Sequence, residues 1–325
     1  MRKYTDYEPM SVVQTMLPES FRFSEDHHPV EEVFAWRNSK LHVDRLPNPD
    51  ASHKIILHHG LGTNGRLLSM IVGVQLQQKG YEVVAIDMPF YGMSENNESG
   101  LRYEDWLDVS LKFIDSELAR DGKPVVLYGL SAGGMLTYHV ACLEPRVKGI
   151  VGMCFLNLLD QDVTDMCSPF PLFIERTSIA MLKTFGSIPL LNRVKLPMKL
   201  ICKMSSLVNN DVLLKTLMRD RSSAGARVSL QFLKSLFTYK PAIEPEAFNA
   251  CPVLLTQPAS DDWTPLEASK HFFDRLSEPK SLVMMENGGH DPVETQAAEQ
   301  LVDAMDDFIQ NELVPDTVPK KANAA

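Results

Sequence analysis

Short apolar runs alternate with helical periods along most of this chain. Residues 54–58 (Lys-Ile-Ile-Leu-His), 82–86 (Glu-Val-Val-Ala-Ile), 125–128 (Val-Val-Leu-Tyr) and 149–153 (Gly-Ile-Val-Gly-Met) are rich in β-branched residues and too continuously apolar to keep a solvent face. Between them, around 66–79 and 103–120, apolar residues recur at the spacing of a helix face, and 134–141 suits a buried helix. Strand and helix in strict alternation predict an α/β fold: a mostly parallel sheet with helices on both faces. The first fifty residues differ. Runs at 32–36 and 40–44 are short and partly alternating, which predicts antiparallel edge strands, and Pro47-Asn48-Pro49-Asp50 ends them.

The alternation stops near Phe155 and resumes with a strand at 252–256, a helix near 266–277, a strand at 281–285 and a last helix near 294–311. The interruption is rich in Leu, Met and Phe, punctuated by Pro169, Pro171, Pro189 and Pro197, and shows no clear strand. This reads as an inserted helical lid over 156–249, set into a core made of 51–155 and 250–314. Residues 1–50 form an N-terminal segment with edge strands, and 315–325 a disordered tail.

The run at 125–128 leads into Gly129-Leu130-Ser131-Ala132-Gly133-Gly134 and then the buried helix. Strand, Gly-x-Ser-x-Gly turn and helix put a serine hydroxyl out of the sheet at a strained corner, so Ser131 is the candidate nucleophile. A serine attacks only when a base takes its proton, and the base needs a carboxylate to hold its tautomer. Asp261 and Asp262 follow the strand at 252–256, and His290 follows the strand at 281–285. Parallel strands end on one edge of the sheet, so these loops can meet there, with either carboxylate in reach of the histidine.

Acyl transfer also develops an oxyanion, which needs two fixed N–H donors. The backbone N–H of Ala132 would be one, and that of Leu61, in His58-His59-Gly60-Leu61-Gly62, the other. The same loop supports a competing reading. Gly60-Leu61-Gly62-Thr63-Asn64-Gly65 is a full G-x-G-x-x-G between strand and helix, and Asp87 follows at the end of the next strand, as in a dinucleotide-binding oxidoreductase. That reading leaves Ser131, the aspartate pair and His290 without a role.

Taken together, His59-Gly60-Leu61-Gly62, Asp87-Met88-Pro89-Phe90-Tyr91-Gly92-Met93-Ser94, Gly129-Leu130-Ser131-Ala132-Gly133, Asp261-Asp262-Trp263-Thr264-Pro265 and Gly289-His290 make the chain resemble the α/β-hydrolase superfamily. The likeness is to its lysophospholipase-like and monoacylglycerol-lipase-like serine hydrolases. It implies the α/β-hydrolase fold and a triad in the order Ser131, acid, His290. The family's spacing to the loop proline selects Asp261 over Asp262. It also implies hydrolysis of a lipophilic carboxylic ester such as a lysophospholipid or monoacylglycerol, with no cofactor and no metal. Phe90 stands where the family's turn usually has glycine. A peptidase or acyltransferase on the same triad, and a non-catalytic binding protein, are the other readings.

Composition narrows the partners. A formal charge of −10 argues against nucleic-acid binding. Five scattered cysteines in mostly apolar runs read as reduced thiols, and no secretory signal or membrane span is evident, so a cytoplasmic protein is expected. The charge is uneven, however. Residues 170–240 hold twelve Lys or Arg against three acids, a net of +9, so the remainder carries −19. An apolar, cationic lid suits peripheral contact with an anionic membrane surface, and Leu190–Ile201 is its clearest amphipathic stretch. Nothing in the sequence fixes the oligomeric state.

Overall fold

The computed structural model describes residues 1–186, 188 and 194–313, with Leu200 by its backbone alone. The chain opens with a helix the pattern did not show, α1 (Glu8–Met16), followed by β1 (Val30–Trp36) and β2 (Ser39–Leu46), which pair antiparallel at the sheet edge. β3 (Lys54–His58) and β4 (Glu82–Ile86) follow, both wholly buried. They are joined by a helix that starts as α2 (Gly65–Leu68), widens to a π-turn at Ser69–Gly73 and ends as α3 (Val74–Gln78). Asn64 caps its start by accepting the N–H of Leu67 at 2.9 Å.

Next come α4 (Tyr103–Asp121), β5 (Val125–Leu130), α5 (Ala132–Ala141) and β6 (Val147–Met153). On α4 the buried positions Trp106, Leu107, Ser110, Phe113, Ile114 and Glu117 recur every three to four residues, as a helix lying on a sheet requires. The insertion then carries α6 (Gln161–Met166), α7 (Leu172–Phe185), β7 (Lys195–Pro197), α8 (Asp211–Leu217), β8 (Arg227–Ser229) and α9 (Leu230–Leu236). The core resumes with β9 (Val253–Pro258), α10 (Leu266–Phe273), β10 (Lys280–Met285) and α11 (Thr295–Phe308).

Eight strands form one sheet in the order β1-β2-β4-β3-β5-β6-β9-β10, parallel from β4 onward. β6 pairs directly with β9, so the whole insertion leaves and rejoins the core between two neighbouring strands. The mostly parallel sheet is as read from the pattern. Two expectations need correction. The insertion is not purely helical, because β7 and β8 pair antiparallel; at three residues each, one ending in Pro197, they are too short to leave a periodic signal. The helix expected to reach residue 277 stops at Phe273. The expected disordered tail and most of the first half of the basic stretch at Leu190–Ile201 lie outside the described residues. Among the described residues no helix is long and apolar enough to cross a membrane.

Candidate active site

β5 lies inside the sheet, and its last residue hands the chain to a turn that few sequences could make. Ser131 sits at φ 57°, ψ −119°, a strained conformation for a residue with a side chain, and its N–H bonds Met153 O at 2.7 Å. The glycines around it are needed for room. A Cβ on Gly129 would lie 2.0 Å from Gly133 O, one on Gly133 2.2 Å from His58 O, and one on Gly134 2.2 Å from Cys154 O. All three obstacles are backbone, which cannot rotate away. Gly133→Ala is therefore expected to cost about 3 kcal/mol or more and to lower Tm by roughly 5 °C or more in a thermal melt. A melt unchanged from the parent would refute this packing account.

The structure brings Asp261 and His290 together. His290 Nδ1 is 2.9 Å from Asp261 Oδ2, and both side chains are buried. The other carboxylate oxygen, Oδ1, accepts the N–H groups of Trp263 at 2.8 Å and Thr264 at 2.9 Å, which fixes the carboxylate in its loop. Burial opposes charge on both partners, yet their mutual attraction outweighs it: the Asp261 carboxyl is held below the usual range and the His290 imidazole above. His290 Nε2 is buried and has no partner among the described residues. Asp262, the competing acid, is exposed, and among the described residues only its backbone carbonyl is engaged, by Lys203 Nζ at 2.5 Å.

Three neighbours of this pair were not legible in the sequence. The Thr264 hydroxyl donates to Asp261 Oδ2 at 2.5 Å and lies 3.2 Å from His290 Nδ1. The Trp263 ring packs against the His290 ring, centroids 4.4 Å apart and tilted by 39°. Cys154, at positive φ just past β6, puts its Sγ 3.0 Å from Thr264 Oγ1 and 3.8 Å from Asp261 Oδ2. Cys154 occupies the end of the strand between those of Ser131 and Asp261, and that strand-end position was the available clue. Ligand atoms of Cys154, Asp261 and His290 are close enough together to hold a metal ion. The chemistry fits one poorly: burial and the Asp261 charge push the thiol well above its ordinary pKa, and Asp261 Oδ2 already takes two hydrogen bonds. Asp291, next to the histidine, is fully buried, and burial raises its pKa to about 7 against the opposing effects of the His290 charge and the Thr63 hydroxyl.

Ser131, Ala132 and Leu61 line one pocket. The Leu61 N–H has no hydrogen-bond partner among the described residues, and the Ala132 N–H, at the first position of α5, has none within its helix, so both donors are available. The Leu61 loop is built to stay still. His59 Nδ1 is 2.8 Å from Gly60 O, and its Nε2 accepts the Met88 N–H at 2.9 Å. The pocket encloses about 860 Å3 of space, mouth included, little of it wide enough for a water molecule, so it is a narrow slot rather than a chamber. Leu156, Leu158, Leu236, Phe237 and Met135 give it an apolar wall.

The dinucleotide reading does not fit. A Cβ on Gly60 would strike Leu130 O at 2.7 Å, and one on Gly62 would strike the Met204 sulfur of the insertion at 2.5 Å, so protein already fills the space a pyrophosphate would need. The Asp87 carboxylate is spent as well. Its oxygens accept the N–H groups of Gly65 and Met93, each at 2.8 Å, and the Tyr4 hydroxyl at 3.0 Å. Behind it lies a buried set of Glu31, His42, Asp44 and Arg66. Burial opposes charge on His42, but Asp87, Glu31 and Asp44 raise its pKa to about 10, so it is a cation matched to those acids and holds the Asp87 turn in place.

Residues 55–304 match the model of the alpha/beta hydrolase family. Among solved structures, the monoacylglycerol lipase of Paleococcus ferrophilus is 22% identical, with a TM-score of 0.64 over 86% of this chain and 98% of that one. A soluble variant of monoglyceride lipase from Saccharomyces cerevisiae, solved with a substrate analog, is 15% identical, with a TM-score of 0.73 over 92% and 99%. A curated relative, the thiohydrolase aneE of Aspergillus aculeatus, is 22% identical over 283 residues, which is 80% of this chain and 85% of its own. At such identities the solved structures speak for the fold alone.

Proposed function

The chain belongs to the alpha/beta hydrolase family, and from that premise we propose that it hydrolyses lipophilic carboxylic esters through an acyl-enzyme on Ser131. The observation that carries this reading is the buried Asp261–His290 pair, with an unpartnered Nε2, beside a narrow apolar pocket that contains Ser131 and two free backbone donors. Ser131 Oγ attacks the acyl carbonyl while His290 Nε2 takes its proton. Asp261 holds the imidazole's tautomer and steadies the imidazolium, and the N–H groups of Leu61 and Ala132 receive the oxyanion. His290 then protonates the departing alcohol. A water molecule, deprotonated by the same nitrogen, releases the acid and restores Ser131.

A narrow apolar pocket suits a single acyl chain, which favours monoacylglycerols or lysophospholipids over bulky esters. The likeness to a thiohydrolase favours a second reading in which the scissile bond is a thioester, broken by the same steps. Matched p-nitrophenyl esters and alkyl thioesters of rising chain length, with fluorophosphonate labelling, test both. Cleavage of long-chain esters with labelling at Ser131 is the expected result. Failure to label sinks the acyl-enzyme, and selective cleavage of thioesters replaces the ester reading.

His290 accepts the proton only when neutral, and its pKa lies above the ordinary 6.5 because the Asp261 charge outweighs burial. Activity is thus full above that raised pKa and is lost as pH falls through it. The acid limb of kcat/KM is expected to have its midpoint above 6.5, and a midpoint below it would contradict this electrostatic account.

The insertion supports a lipid-surface setting for this chemistry. On α7, Leu172, Phe173, Ile174, Met181 and Phe185 are exposed, Phe173 to 81%. Elsewhere on the insertion Lys195, Lys199, Arg221 and Arg227 line one cleft without an acid among its lining residues. Vesicles containing phosphatidylserine are expected to raise hydrolysis of long-chain substrates more than neutral vesicles do, and Phe173→Asp with Lys195→Gln and Lys199→Gln to remove the difference. Equal rates on both vesicles would end the surface-contact proposal.

A further inference from the structure

The acyl-enzyme reading uses only the first turn of α5. Ser131, Met135 and His139 follow at intervals of four, so they form one row on the same face of the helix, and all three line the pocket. At a rise of about 1.5 Å per residue, His139 stands roughly 12 Å from Ser131 along the helix that walls the pocket.

An imidazole is an expensive group in an apolar wall, and this one is arranged with care. The Tyr103 hydroxyl lies 2.8 Å from His139 Nδ1 and has no other acceptor among the described residues, so the proton of this buried phenol is satisfied only when it donates to that nitrogen. Burial pushes the His139 pKa down to about 3, so the ring is neutral. A neutral imidazole that accepts at Nδ1 carries its proton on Nε2. That N–H has no hydrogen-bond partner among the described residues, and the 6% of the residue left accessible belongs to a wall of the pocket. The Tyr239 ring, 4.6 Å from the imidazole, holds it in position. Other polar residues of the lining are held in part by their own surroundings: burial keeps the Glu175 carboxyl above its usual range, with the Ser168 hydroxyl beside it. Thr164 Oγ1 donates to Gln161 O at 2.9 Å, and Asn157 Oδ1 accepts the Leu159 N–H at 3.2 Å. His139 therefore offers a fixed, unsatisfied donor at a set depth along an apolar slot.

We propose that the substrate's acyl chain carries a hydrogen-bond acceptor, a ketone or hydroxyl oxygen, which the Nε2–H of His139 receives roughly eight to eleven carbons from the scissile carbonyl. That range follows from the ~12 Å separation, an advance of roughly 1.2 Å per bond in an extended chain, and a hydrogen bond of about 2.9 Å. The proposal rests on the ester-hydrolase reading and goes beyond it. It turns a slot for any acyl chain into one that measures the position of a polar group.

The test is a series of p-nitrophenyl oxododecanoates with the ketone moved from roughly carbon 4 to carbon 11, beside the unsubstituted ester. The ratio of kcat/KM between oxo and plain ester is read, since it cancels any general loss of activity. In the parent enzyme the ratio should peak where the ketone meets His139, at about tenfold, should fall to about one in His139→Phe, and should persist in part in His139→Gln, which keeps an N–H donor. A flat profile, or a peak that survives His139→Phe, overturns the proposal. Binding of the free oxododecanoic and dodecanoic acids to Ser131→Ala, followed by Trp263 fluorescence, gives the same ratio without turnover. If no ester is cleaved, the hydrolase reading fails by itself and this binding ratio still decides the role of His139.

Discussion

Ser131→Ala is expected to lower kcat by about 10^4-fold or more and to abolish fluorophosphonate labelling, while the protein stays folded. The large effect comes from removal of the only atom that can carry the acyl group in the proposed cycle. The folded state should survive because alanine presents the same Cβ to the strained turn at φ 57°, and no hydrogen bond from the Ser131 hydroxyl to another described residue is lost. Steady-state hydrolysis and a labelled-peptide map check this together. A rate within tenfold of the parent, or labelling that persists at another residue, would remove Ser131 from the mechanism.

Asp261→Asn should cost nearly as much, about 10^4-fold in kcat, whereas Asp262→Asn should change it by less than about twofold. Asp261 Oδ2 accepts from both His290 Nδ1 and the Thr264 hydroxyl. An amide nitrogen in that place meets two donors and accepts from neither. The imidazole then gains by turning to the tautomer with its proton on Nε2, which cannot take a proton from serine. The exposed side chain of Asp262 has no such duty. Equal losses in the two variants would refute the choice of Asp261. The contrast also separates a tautomer effect from a general loss of negative charge near the site.

The fold was legible because its signals are local. Short apolar, β-branched runs at 55–57 and 125–128, set between helical periods, suit buried strands, and Gly-x-Ser-x-Gly between strand and helix marks one turn geometry. The proposed site residues were legible by their place at strand ends, although spacing alone left Asp261 and Asp262 open. What decides between them is a loop in which Trp263 and Thr264 turn their N–H groups back onto the first of the two carboxylates, and no periodicity encodes that. The same holds for Cys154 and for the Tyr103 hydroxyl on His139, since each contact joins residues far apart in sequence. The glycine-rich loop misled for a related reason. Gly60, Gly62 and Gly65 are small because Leu130, Met204 and Asp87 crowd them, and crowding by protein leaves the same letters in a sequence as room for a ligand.

The split core also has a consequence for how the enzyme comes into being. β6 can pair with β9 only after the whole insertion between Met153 and Val253 has been made, and His290 follows later still. Ser131 leaves the ribosome 159 residues ahead of His290, which at ordinary rates of synthesis is an interval of roughly 8–30 s. Throughout that interval the nascent chain carries Ser131 without the base assigned to it in the proposed cycle, and that cycle is complete only when the last strand docks.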